Sequence, residues 1–320
     1  MINDWKERLS RQINRIVSSG LYEGADELFL FVTDTSNSLR SQVEELIKDL
    51  PKIKLNYTEV NYGEGFLALS KLDDLAREDK ERKFLYFHTK GVFNKYKNFE
   101  TKEIYELKLR GVDCWVEMME HFLIDNWKEC VDKLDNNDIV GTICNSFWWW
   151  GNFWWTKSSH VKNIPSIKQF YNGSRWSVEA WIHESAPNKE QTVKYYEFRP
   201  THYDLYYSVL PKYFYDNSID LSDLKIDIKE AKYGYFAEQR DEGRCTPQTT
   251  DKFIDVTDKV IEMIGNDPRI KIEPDRVVES GVDIAYGQEK SLRIKFSTNI
   301  DPKNEYVVTS FGHWNFKIVS

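Results

Sequence analysis

The sequence predicts an α/β protein: an open, mostly parallel sheet with flanking helices, followed by a small all-β sandwich-like domain. Three observations carry that expectation. Short continuous apolar runs, Leu28–Thr33 (LFLFVT), Phe84–Phe87 (FLYF) and Asp138–Ile143 (DIVGTI), give way to polar turn residues, as strands buried on both faces do. Segments of helical periodicity lie between them, and strands alternating with helices imply parallel β-α-β units. From about residue 215 onward, short β-rich runs separated by Asn, Asp, Gly and Pro take over, the pattern of a small all-β module.

Taken in order, residues 5–19 place Leu9, Ile13, Ile16 and Val17 on one face of an amphipathic helix, with Gly20 as its stop. The LFLFVT strand runs into Asp34-Thr35-Ser36-Asn37, a loop and N-cap for a helix over 38–49. Residues 53–60 alternate as a second strand, and 65–79 form another helix. The FLYF strand is closed by His88-Thr89-Lys90-Gly91. A long helical region over 100–134 carries Trp115, Met118, Met119, Phe122 and Trp127 on its apolar side, and DIVGTI follows as the next strand. Asn217–Lys229 is polar and acidic and reads as a connection; strands are expected at 252–256, 270–272, 291–296, 306–309 and 316–319, with a helix over 257–264. The division is therefore a first domain over 1–215, a connection over 216–229 and an accessory domain over 230–320, in keeping with 320 residues exceeding what one core usually serves.

Composition narrows the function classes. A net charge of −8 argues against a dedicated nucleic-acid binder, which would show a basic face. Cys114, Cys130, Cys144 and Cys245 have neither C-x-x-C nor zinc spacing, so four reduced thiols are expected. Met1-Ile2-Asn3-Asp4 leads straight into the charged Trp5–Arg15 stretch, so no signal peptide is expected; no apolar run is long enough to span a bilayer, and the expected location is cytoplasmic. Oligomeric state has no signature in the sequence.

Ligands of open α/β sheets sit beyond the carboxyl ends of the strands, so the loops at 34–37, 88–91 and 145–155 are expected to gather at one edge. The last of these holds the most unusual composition in the chain. Trp148 to Trp155 reads WWWGNFWW, five of the eleven tryptophans within eight residues. Indole can lie against the apolar face of a sugar or base, and Gly151-Asn152 marks a bend; a Trp-rich core beneath a loop fits the same residues. Lys90 could neutralise a phosphate, Thr89 could donate a hydrogen bond and Gly91 would admit backbone close to a ligand, whereas a plain strand-ending turn explains them too. Arg175 and Glu179 stand one helical turn apart, as an ion pair or as a carboxylate presented as general base. Asp34 could meet a base or ribose, or cap a helix. His160, His183 and His202 are scattered without metal spacing. Dinucleotide, P-loop and serine-hydrolase signatures are absent.

Five segments in this order resemble a known family: Ser19-Gly20-Leu21-Tyr22, Tyr86-Phe87-His88-Thr89-Lys90-Gly91, Asp138-Ile139-Val140-Gly141, Gly151-Asn152-Phe153-Trp154-Trp155 and Arg175…Glu179-Ala180-Trp181. Together they resemble bacterial and large-virus glycosyltransferases of the nucleotide-sugar-dependent GT-A type, over roughly residues 5–210. Asp255-Val256-Thr257 and Lys290-Ser291-Leu292-Arg293-Ile294 resemble a small β module appended to some such proteins.

The resemblance implies a GT-A-like fold and transfer of a sugar from a nucleoside diphosphate sugar to an acceptor hydroxyl. It places His88, Thr89 and Lys90 where such enzymes usually carry an acidic metal-binding motif, and these with Gly91 and Arg175, together with Asp34 from its place after the LFLFVT strand, make up the expected donor nucleotide and diphosphate side. Trp150, Asn152, Phe153, Trp154 and Trp155 fall on the sugar and acceptor side, and Glu179 is the base of an inverting reaction. A glycan or saccharide is the first expectation for the acceptor, and a modified nucleobase of DNA the second. Two departures stand out. No D-x-D follows the FLYF strand, which leaves a divalent metal (Mn or Mg) undecided, and the family's first strand has no counterpart before the 5–19 helix. From a different class, the chain would be a non-catalytic carbohydrate-binding protein, or a structural protein on a degenerate transferase fold.

Overall fold

The computed structural model describes residues 5–36, 38–60, 65–89, 102–142, 149, 151–184, 193–198, 205–216, 220–236, 252–265, 267, 269–278, 290–310 and 318, without the side chains of 102–104 and 175. The chain is α/β and divides into two compact units, one from 1–93 with 119–198 and the other from 94–118 with 199–320. No helix among the described residues is long and apolar enough to cross a membrane.

The first unit opens with α1 (Trp5–Ser18) and α2 (Leu21–Gly24). The buried face of α1 is Leu9, Gln12, Ile13 and Ile16, the i, i+3, i+4, i+7 stripe of an amphipathic helix. Val17, expected on that face, is exposed. Next come β1 (Leu28–Thr33), α3 (Arg40–Ile47), β2 (Ile53–Thr58), α4 (Phe66–Ala76) and β3 (Lys83–Tyr86). β1 and β2 pair in parallel, Leu28 opposite Ile53 through Thr33 opposite Thr58. The apolar run of β1 is half-buried rather than fully enclosed, because its cover includes lysines: Lys54 and Lys71 each set their ammonium 5.4 Å from the Phe29 ring centre.

The expected 100–134 helix is three pieces. α5 (Lys102–Glu120) runs into a π-helical turn, His121–Asp125, and then α6 (Trp127–Lys133). Such insertions occur mostly as single turns and frequently at functional sites. After β4 (Ile139–Gly141) come β5 (Trp154–Lys157), α7 (Ser158–Asn163), α8 (Ile167–Phe170), α9 (Arg175–Ala180) with a 3₁₀ turn at Trp181–His183, and β6 (Tyr195–Glu197). These strands form a four-stranded sheet in the order β3-β5-β4-β6. β5 is antiparallel to both β3 and β4, while β4 and β6 are parallel. The expected mostly parallel sheet is thus corrected to a mixed one, since the second half of the tryptophan run is itself a strand laid between β3 and β4.

In the second unit, β7 (Ile226–Tyr235), β8 (Lys252–Asp255), α10 (Thr257–Ile264), β9 (Ser291–Thr298) and β10 (Tyr306–Thr309) make one antiparallel sheet, β10-β9-β7-β8, with α10 beside β7. The unit also takes in residues 94–118, so among the described residues it is one sheet with helices rather than an all-β sandwich. The expected connection over 217–229 is corrected too: its end is the first four residues of the ten-residue β7. The strand expected at 270–272 is absent, and the one at 316–319 lies, Ile318 apart, outside the described residues.

Candidate functional site

Register alone assembles an edge. Tyr86 at the end of β3 pairs with Trp154 at the start of β5, Trp154 pairs with Gly141 at the end of β4, and Gly141 pairs with Glu197 at the end of β6. The chain leaving β3 (Phe87, His88, Thr89) and the bend entering β5 (Gly151, Asn152) therefore emerge side by side.

His88 is held from two directions. One ring nitrogen, Nε2, lies 3.0 Å from the Gly151 carbonyl oxygen; a carbonyl only accepts, so Nε2 carries the proton. The ring meets Phe153 edge-on at 5.2 Å between centres. Its backbone carbonyl accepts a hydrogen bond of 3.2 Å from Gln12 Nε2, which also donates to Glu120 Oε1 at 3.0 Å. Glu120 is fully buried, 3.2 Å from Arg15 Nη1 and 3.8 Å from Arg11 Nη2. Burial pushes the Glu120 carboxyl up, against the pull of Arg11, Gln12 and Arg15. Arg15 also grips Asp125 with two bonds of 2.8 and 2.6 Å. Burial opposes the charge on Asp125, but hydrogen bonds from His121 and Arg15 outweigh it and hold that carboxyl well below its usual range. This buried network of Gln12, Arg15, Glu120 and Asp125 was not foreseen. A glutamine on the core-facing stripe of α1 was its one visible trace.

The bend before β5 is strained in a defined way. Asn152 has φ +57° and Gly151 φ +85°, the left-handed region that Gly and Asn tolerate best. The Asn152 side-chain oxygen accepts the Trp154 indole N–H at 2.8 Å. Trp154 stacks on Tyr86 with centres 5.1 Å apart, and the Trp155 indole donates to the Leu123 carbonyl in the π-helical turn at 2.8 Å. Phe153 and Trp154 are 0% exposed and Trp155 is 5%, so these rings offer no open wall to a sugar. Their expected place on the sugar side is corrected to the core, where Trp149 also lies against Gly141 so closely that a methyl group there would meet its ring at 2.3 Å. Trp148 and Trp150 lie outside the described residues, as do Lys90, Gly91 and the Arg175 side chain.

Glu179 is brought to the same neighbourhood through Val178. Gly65, at φ +78°, sits where an added methyl would meet the Tyr86 hydroxyl at 2.2 Å and Val178 at 3.3 Å. Tyr86, Trp154, Val178 and Trp181 belong to one buried cluster. Glu179 itself is half-buried on α9. Three of the segments singled out in the sequence, 86–89, 151–155 and 175–181, thus pack around one core cluster at one sheet edge. No protein-family model, curated protein or solved structure matches the chain.

Asp34 has a different job. Its oxygens accept from Ser36 N and Oγ (3.1 and 2.6 Å), Ser38 N (2.7 Å), Leu39 N (2.8 Å) and the Tyr57 hydroxyl. Five donors saturate a carboxylate, so Asp34 builds the loop that starts α3. The Ser36 and Tyr57 hydroxyls hold its carboxyl well below the usual range against a burial penalty, with smaller help from the Leu39 and Ser36 amides. A depressed carboxyl contributes stability that is present above its unfolded pKa and lost as pH falls through the folded value. Asp34→Asn is expected to raise amide exchange at Ser36, Ser38 and Leu39 at neutral pH, and wild type should approach the variant only below about pH 4. Protection unchanged by the substitution would show that the loop does not depend on the charge.

His160 is a satisfied core histidine: it is buried, with Nε2 2.9 Å from the Ile182 carbonyl. Burial, then neighbouring His160, pushes His183 down to about 4. Among the described residues no three His, Cys, Asp or Glu side chains come together as a metal-ion cluster.

Proposed function

We propose that the chain is a glycosyltransferase acting on a nucleoside diphosphate sugar, with Glu179 as general base toward an acceptor hydroxyl and a GT-A-like arrangement of the first unit. The observation that carries this reading is the convergence of the strand-end corner at His88-Thr89, the Gly151-Asn152 bend and α9 around the cluster of Tyr86, Trp154, Val178 and Trp181. A corner clamped by Gln12 and Gly151 provides a preset surface at the carboxyl end of a strand, where ligands of α/β sheets bind. A half-buried carboxylate on the helix packed beside it suits proton removal from a hydroxyl, a poor nucleophile until deprotonated. Lys90 and Arg175 are the cations assigned to the leaving diphosphate, and a saccharide is the favoured acceptor. Location in the cytoplasm belongs to the same reading.

Thermal unfolding of the whole chain with a panel of nucleoside diphosphates and their sugars, with EDTA and with Mn²⁺, tests the reading. A ligand at about a hundred times its dissociation constant adds roughly 2.7 kcal/mol of stability, and one nucleotide is expected to stand out. A response to EDTA decides the metal requirement. Glu179→Gln should keep that shift and lose transfer. No shift with any nucleotide sinks the transferase reading in favour of a carbohydrate-binding or structural protein.

A further inference from the structure

The aromatic surface expected beside the candidate base is not supplied by the described part of the tryptophan run, but one indole does face solvent. α9 is fixed in rotation by its inner side. Ser174 caps it, accepting the Trp176 amide at 3.2 Å, and Ser177 Oγ donates back to the Ser174 carbonyl at 2.7 Å. Val178, Trp181 and Ile182 are buried in the core cluster, and the Trp181 indole donates to the Pro165 carbonyl at 2.8 Å. With that side locked, residues 176 and 179, three apart, lie on neighbouring outward positions. Trp176 is 61% exposed, more than any other large hydrophobic side chain described.

We propose that Trp176 is the stacking surface for a saccharide ring, with the Glu179 carboxylate beside it accepting a hydroxyl of that ring. The proposal deepens the transferase reading and rests on it for the saccharide's role as acceptor; the binding itself needs no turnover. A pyranose has an apolar C–H face and a rim of hydroxyls. The indole face attracts the first and a carboxylate accepts from the second. A nucleobase in a nucleic-acid strand also stacks, but its phosphates would meet Glu179 and a chain of net charge −8, so a neutral glycan is the better fit. Trp176 lies outside the buried cluster, so the substitution that removes the indole is expected to leave the core contacts of Val178 and Trp181 in place.

The test is retention of the fluorescently labelled full chain on an array of neutral and acidic oligosaccharides and single-stranded DNA, in buffer alone and with each nucleoside diphosphate. Wild type is expected to bind neutral oligosaccharides. Trp176→Ala should weaken that binding about tenfold, and Trp176→Phe should recover part of it, with unfolding temperatures unchanged. Wild-type affinity in Trp176→Ala overturns the proposal, as does a wild type that binds only DNA or no saccharide under any condition. Nucleotide shifts without saccharide binding overturn this inference and leave the transferase reading. Saccharide binding lost in Trp176→Ala, without any nucleotide shift, supports the stacking role and overturns transfer.

Discussion

Replacing Arg15 by methionine is expected to destabilise the chain by about 3–5 kcal/mol at pH 7, the usual cost of removing one partner from a buried ion pair. Arg15 is mostly buried and serves two carboxylates, Glu120 at 3.2 Å and Asp125 at 2.6 Å. Methionine fills much of the same volume but leaves Glu120, with no exposed surface, to Arg11 at 3.8 Å and the Gln12 amide. The penalty is that of an ionised carboxylate in a site that excludes water.

The pH dependence identifies the mechanism. Glu120 already has its carboxyl raised above the ordinary glutamate range, burial being the largest cause, and loss of Arg15 raises it further. A carboxyl raised in the folded state contributes stability that is complete below the unfolded pKa and lost as pH rises through the folded one. Asp125 works in the opposite sense: its depressed carboxyl stabilises the fold above its unfolded pKa, and the variant loses part of that contribution. The Glu120 effect makes the cost of Arg15→Met grow as pH rises from 4.5 to neutrality, whereas the Asp125 share is already present at pH 4.5 and fades only as pH falls below about 4. Glu120→Gln, which keeps an acceptor for Gln12 and leaves Arg15 on Asp125, is expected to cost less. Urea unfolding of both variants between pH 4.5 and 8 checks the rise; a loss independent of pH would assign the effect to the Asp125 pair and to packing of the Arg15 stem, not to Glu120.

Much of the first unit was legible because its signals are local. Apolar runs ending in turns mark β1, β3 and β4, and the Leu9–Ile16 stripe marks α1. The strand-end rule places the loops at 34–37, 88–91 and 145–155 on a common edge; of these, His88-Thr89 and Gly151-Asn152 meet at one edge, whereas Asp34 follows β1, which pairs with β2 in a separate two-stranded sheet. What escaped depends on partners distant in sequence. Gln12 and Glu120 are 108 residues apart, and a lone glutamine on an apolar stripe reads as a flaw until its partner is known. The π-helical turn at His121–Asp125 shifts the phase between α5 and α6 without breaking helical composition. β7 alternates isoleucine with Asp, Lys and Glu at its start, and charge density there outweighed the period of two. The four residues of β5 show the limit most clearly, since a tryptophan pair reads alike in a core or on a platform.

Trp154→Ala separates those two readings by the size of the stability change. In the core, the substitution removes a fully buried indole stacked on Tyr86, a loss of about 3–5 kcal/mol. It also strips the Asn152 side-chain oxygen of its donor at a backbone position held at φ +57°, adding on the order of 1–3 kcal/mol if no water replaces it. On a solvent-facing platform the same substitution would cost little stability and abolish sugar contact. Trp154→Phe is the informative partner, because it keeps an aromatic ring against Tyr86 while deleting the N–H and the second ring of the indole; its loss should fall between wild type and alanine. Thermal and denaturant unfolding in the absence of any ligand decides the matter. A Trp154→Ala chain as stable as wild type would return the tryptophan run to the binding surface, and would remove the cluster that fixes His88, Asn152 and α9 relative to one another. A large loss for alanine with a smaller one for phenylalanine would make Trp154 the post on which that edge is built.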